Sequence, residues 1–128
     1  MSTPEPGTPV LPRNFLRPCL LLLLREEPAH GYDLLQRLKP FGFVRDDPGR
    51  LYRALRSLER EGLVRSAWEA STSGPDRRIY ELTRAGMEEL HLATKSLADA
   101  ADVLDVFLTR YEEFVEIRPR HQRARAGR

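Results

Sequence analysis

Arg50, Arg53, Ser57 and Arg60 stand three, four and three residues apart, with Arg56 among them. That spacing lines their side chains along one side of an α-helix. A guanidinium near the start of such a helix can offer two parallel hydrogen bonds to guanine O6 and N7, and one farther along can reach phosphate. Tyr52 lies among these cations, where its hydroxyl can donate to a phosphate oxygen. Further on, Gly74 and Pro75 precede Arg77 and Arg78, so a tight turn would deliver two more cations to a nucleic-acid backbone or minor groove. The competing reading of the helix is a solvated face on which the arginines pair with Glu59 and Glu61.

Little else in the chain is equipped for chemistry. His30, His91 and His121 fall in separate segments with no metal-ligand spacing to a cysteine or carboxylate. No glycine-rich phosphate loop follows a strand, and Cys19 sits among leucines with no base near it in sequence. We therefore expect no catalytic residue, no metal and no cofactor, and read Cys19 as a buried, inert thiol.

Composition narrows the class further. A chain of 128 residues is one domain's worth, and 41% hydrophobic residues with a net charge of +2 exclude a disordered chain. The longest apolar run, residues 19–24, is far short of the ~20 residues of a membrane span and too short for a secretory signal. The expectation is a cytoplasmic protein with no membrane partner. Its charge is segregated: 13 basic and 10 acidic side chains in residues 1–80, 3 and 9 in 81–117, and 5 and none in 118–128. One part of such a chain would meet a polyanion and another would meet protein. Nineteen of the 21 cations are arginine, which suits phosphate recognition but also follows from a GC-rich genome.

The elements that must position these residues can be read in order. Residues 1–12 hold four prolines and a glycine and form a floppy arm. A leucine-rich helix, apolar nearly all round and therefore central, has Pro18 in its first turn and stops before Pro28. A second helix of about three turns starts near His30 and Gly31 and ends at Pro40 and Gly42. The third opens with Asp47 as cap and Pro48 in first position and terminates at Gly62. Its Leu51, Leu55 and Leu58 form an apolar stripe opposite the arginines. Alternation then marks two strands, with Val64, Ser66, Trp68 and Ala70 on one side of the first and Arg78, Tyr80 and Leu82 alternating on the return. Thr83 caps a long last helix.

That helix carries Met87, Leu90, Thr94, Leu97, Ala101, Leu104, Leu108, Tyr111 and Val115 at alternating separations of three and four, the seam of a coiled coil. We expect Leu90, Leu97, Ala101, Leu104, Leu108, Tyr111 and Val115 to meet a second copy. The alternative is a break near Ser96 and a fold back onto the head. The fold class is mainly α with a β-hairpin wing: a winged helix-turn-helix head over residues 13–82, a dimerisation helix over 83–117 and a basic tail over 118–128. The candidate DNA-contacting set is Arg50, Tyr52, Arg53, Arg56, Ser57 and Arg60 on the third helix, Gly74, Arg77 and Arg78 on the wing, and His30 and Tyr32 at the opening of helix two.

At these residues the chain resembles the PadR family of bacterial winged-helix regulators. The resemblance covers residues 15–114 and rests on several motifs in one order: His30-Gly31-Tyr32-Asp33-Leu34, Gly49-Arg50-Leu51-Tyr52-Arg53-Ala54-Leu55 with Leu58-Glu59 and Gly62-Leu63, Trp68, and the segment Gly74-Pro75-Asp76-Arg77-Arg78-Ile79-Tyr80-Glu81-Leu82-Thr83 with Ala85-Gly86. It implies a homodimeric repressor that reads a palindromic operator on double-stranded DNA, possessing C-terminal helices that swap across the dimer, and open to release by a small-molecule effector. Many members have Thr where Arg50 stands and Pro where Arg53 stands, so base preference does not carry over. Arg13-Asn14-Phe15-Leu16-Arg17-Pro18 with Tyr52-Arg53 looks closer to a subgroup of polyhydroxybutyrate-responsive repressors. The alternative function is a winged helix used for protein contact without specific DNA binding.

Overall fold

A computed structural model describes residues 10–45 and 47–115. Most of the expected arm and all of the basic tail 118–128 lie outside the described residues.

The leucine run forms α1 (Leu16–Glu26), with Leu16, Cys19, Leu20, Leu21, Leu23 and Leu24 buried. Pro18 is its third residue, still within the first turn, where amides lack intrahelical partners. A strand absent from the sequence reading follows, β1 (Ala29–His30). Helix α2 (Gly31–Arg37) has seven residues rather than three full turns, and a 3-10 turn over Lys39–Phe41 replaces its expected end. Pro40 lacks the amide that would continue α2, and Gly42 closes the turn with φ of 97°. Arg37 donates from Nη2 to the Leu23 carbonyl at 3.0 Å and to Glu26 at 3.0 Å. It thereby ties the end of α2 to the electronegative C-terminus of α1.

Helix α3 (Pro48–Arg60) begins where its cap signals place it: Asp47 Oδ1 accepts from the Arg50 amide at 3.0 Å. Leu51, Leu55 and Leu58 are no more than 1% exposed and pack with Leu20 and Leu34 in one cluster. The hairpin consists of β2 (Val64–Glu69) and β3 (Arg77–Leu82), antiparallel from Val64 opposite Leu82 to Glu69 opposite Arg77. β1 adds to the other edge of β3, with Ala29 opposite Tyr80, so the sheet order is β1-β3-β2.

Helix α4 (Arg84–Val115) continues past Ser96 without a break there. Its 32 residues span about 48 Å. Thr83 Oγ1 accepts from the Gly86 amide at 3.1 Å and donates to the Gly62 carbonyl at 2.6 Å. Gly86 lies so close to the Leu63 carbonyl that a β-carbon would overlap it. These contacts hold the first turns of α4 on the core.

The chain divides into two compact units, Met1–Leu92 and Ala93–Arg128. Leu90, expected in the seam between copies, is instead 7% exposed in the core of the first unit, because the Thr83 cap and the Gly86 approach bring its turn inward. In the second unit Val103, Leu104, Phe107, Tyr111 and Phe114 are at least half exposed, and Leu97, Ala101 and Leu108 are half-buried. Among the described residues no helix is long and apolar enough to cross a membrane.

Candidate nucleic-acid interface

The two-faced character of α3 creates the site. Burying Leu51, Leu55 and Leu58 forces Arg53, Arg56 and Arg60 outward, and all three are exposed. At the N-terminal end the Arg50 guanidinium lies 5.5 Å from the centre of the Phe43 ring, a cation–π contact that steadies it. The Arg53 guanidinium reaches back over Gly49, where a β-carbon would come within 3.1 Å of Nη1. Tyr52 lays its ring against Gly31, leaving no room there for any side chain. It therefore also seats α3 on the start of α2. Tyr32, 68% exposed, stands at that same start.

Glu59 of α3 and Glu61, its C-cap, decide between the competing readings of its arginines. Glu61 is bridged twice by Arg17 of α1, at 2.8 and 3.0 Å, and accepts from Ser57 Oγ at 3.2 Å. The Arg17 hydrogen bonds hold its carboxyl below the usual range. Glu59 accepts from Ser66 Oγ at 2.7 Å and lies 3.8 Å from Arg78. Both carboxylates serve other elements. Among the described residues Arg53, Arg56 and Arg60 have no carboxylate within ion-pairing distance, so α3 presents a row of cations without an ion-pair partner.

The wing separates two arginines that are adjacent in sequence. Successive strand residues point to opposite faces, and Arg78 shares its face with Tyr80 and Ser66. Its Nε donates to Ser66 Oγ at 2.7 Å, and its guanidinium lies 5.2 Å from the centre of the Trp68 ring. Arg78, expected to contact nucleic acid, is thus engaged within the head. Arg77 points the other way and is exposed. Arg65 pairs with Glu81, which makes Arg77 the wing's unpaired cation among the described residues. Asp76 accepts from the Ser71 amide and Ser71 Oγ from the Ser73 amide, ordering the turn around exposed Gly74.

His30, also expected to contact nucleic acid, is likewise engaged within the head. Its Nε2 is 3.0 Å from Glu69 and its Nδ1 is 3.5 Å from Asp33, with 17% of the side chain exposed. The ring fastens the end of β2 to the β1–α2 junction. The carboxylates sit on opposite ring nitrogens, and no group of three or more potential ligands for a metal exists among the described residues. Cys19 is buried, and burial raises its pKa to about 11, which keeps the thiol protonated. Burial likewise raises the pKa of Tyr80.

Three helices, a hairpin folded back beside the third and a basic face on that third helix define a winged helix-turn-helix protein. The sequence model described as "Transcriptional regulator PadR-like family" matches residues 20–92. The chain belongs to this family of transcriptional regulators. A PadR-like regulator from Bacillus cereus is 29% identical and superposes with a TM-score of 0.65, covering 73% of this chain and 90% of that one. A PadR family regulator from Eggerthella lenta is 31% identical at a TM-score of 0.65, covering 75% and 83%. Bacillus subtilis PadR, crystallised with operator DNA, is 28% identical at a TM-score of 0.54 over 59% of this chain and 44% of that one.

Proposed function

We propose that the protein is a sequence-specific DNA-binding regulator, a homodimeric repressor of its own or a neighbouring promoter. The observation that carries this reading is the row Arg53, Arg56 and Arg60, left without ion-pair partners although Glu59 lies on their helix and Glu61 directly follows it. In the reading, α3 enters the major groove with Arg50 and Arg53 at its leading end, Arg56, Arg60, Tyr52, Ser57 and Tyr32 lie toward the groove walls, and Arg77 with Gly74 follows the backbone. The operator-bound Bacillus subtilis PadR supports this mode of action.

Two such heads reading a palindrome need a link between copies. The apolar face of α4 from Leu97 through Val115 supplies it, since a solvated helix bearing exposed Val103, Leu104, Phe107 and Phe114 is favoured to pair. A small-molecule effector would release DNA by favouring one spacing of the two recognition helices over another. Footprinting the full chain on the DNA upstream of its own gene tests the reading. We expect two protected half-sites about one helical turn apart, lost in Arg53→Ala; uniform protection along the duplex would contradict it.

A further inference from the structure

We infer that Arg78 is a positioning residue, the centre of a brace that sets the wing's stance against the recognition helix. The inference rests on the DNA-binding reading and divides its wing cations into one that holds and one that touches.

The brace is a chain of contacts from α3 to β3 and back to β2. Ser66 Oγ donates to Glu59 and accepts from Arg78 Nε, both at 2.7 Å. Arg78 Nη2 stands 3.8 Å from the same Glu59 oxygen, and the guanidinium covers the Trp68 ring at 5.2 Å. Each contact alone is modest at 33% and 40% side-chain exposure for Glu59 and Arg78. Linked through one hydroxyl, they act as a unit. Hydrogen bonding of the hairpin stops at Glu69 and Arg77, so beyond those residues the wing's angle depends on what its base is fastened to. Glu59 is the α3 end of that fastening. Trp68 explains itself in the same way: 66% exposed, it stacks under the cation and broadens the seat on which Arg78 rests.

Charge gives the brace a signature that a phosphate contact lacks. If Arg78 touched DNA, removing Glu59 would free its charge and strengthen binding. As a brace it needs Glu59, so removal weakens binding. Trp68 is the chain's single tryptophan, and its fluorescence reports the wing directly in the full-length protein.

The test compares Glu59→Ala, Arg78→Ala and Arg77→Ala in the full chain, with operator binding followed across salt concentration and Trp68 emission anisotropy followed without DNA. We expect Glu59→Ala and Arg78→Ala each to weaken binding about tenfold, with an unchanged salt slope, a double variant no weaker than either single one, and lower Trp68 anisotropy in both. Arg77→Ala should instead reduce the slope by about 0.9 for each phosphate that Arg77 neutralises and leave Trp68 unmoved. Tighter binding by Glu59→Ala with a shallower slope for Arg78→Ala would make Arg78 a phosphate contact and overturn the brace. Unchanged Trp68 anisotropy in both variants would overturn it equally. Failure of the wild-type chain to bind DNA would remove the DNA-binding reading alone, since Trp68 would still decide whether the brace exists.

Discussion

The two units leave opposite kinds of chemistry unpartnered. In the first, Leu20, Leu34, Leu51, Leu55 and Leu58 from α1, α2 and α3 are no more than 1% exposed, and the surface carries cations without an ion-pair partner among the described residues: Arg53, Arg56, Arg60 and Arg77. In the second, Lys95 pairs with Asp99 one turn on, and large apolar side chains from Val103 to Val115 stand exposed. Surplus cation calls for a polyanion, and surplus apolar surface calls for another protein surface. In the proposed reading, the difference gives recognition to one unit and assembly to the other.

The largest break in that comparison should come from Leu104→Asp, at the middle of the exposed face. We expect sedimentation to show loss of the dimer and operator affinity to fall at least about a hundredfold, as paired half-sites become independent. An unchanged dimer would place the interface elsewhere. Gly86→Ala, within the first unit, should lower stability by about 1–3 kcal/mol because its β-carbon meets the Leu63 backbone; thermal unfolding with an unshifted midpoint would contradict the packing. Arg53→Ala should cost about 1–3 kcal/mol of specific binding, measured as the affinity difference between operator and scrambled duplex.

The smallest effect concerns Cys19. With its pKa raised to about 11 by burial, the native thiol should resist alkylation at pH 8 and react once the chain unfolds. The unfolded thiol ionises first, so this group's contribution to stability is present below the unfolded pKa and declines as pH rises through that value toward 11. Rapid alkylation of the native protein would show that Cys19 is reachable.

Much of the fold could be read because its signals are local. Asp47, Pro48 and Gly62 bound α3, Thr83 caps α4, and the alternation around the 71–76 turn marks the hairpin. β1 escaped because two residues carry no period; they become a strand only through the free edge of β3. The face of α3 was legible, but which of its charges were free was not. Helical spacing pointed Glu59 and Glu61 at neighbouring arginines, whereas tertiary structure sends Glu61 to Arg17, 44 residues away, and Glu59 to Ser66 and Arg78. One of these assignments did have a signal in sequence: Arg78 falls in step with Tyr80 and Leu82, the inward positions of β3.

Salt titration of full-length protein on its upstream operator and on a scrambled duplex tests the central claim most directly. The account predicts an affinity that falls steeply with salt on both duplexes and remains at least about a thousandfold higher on the operator. Equal affinity for the two duplexes, or binding indifferent to salt, would contradict it.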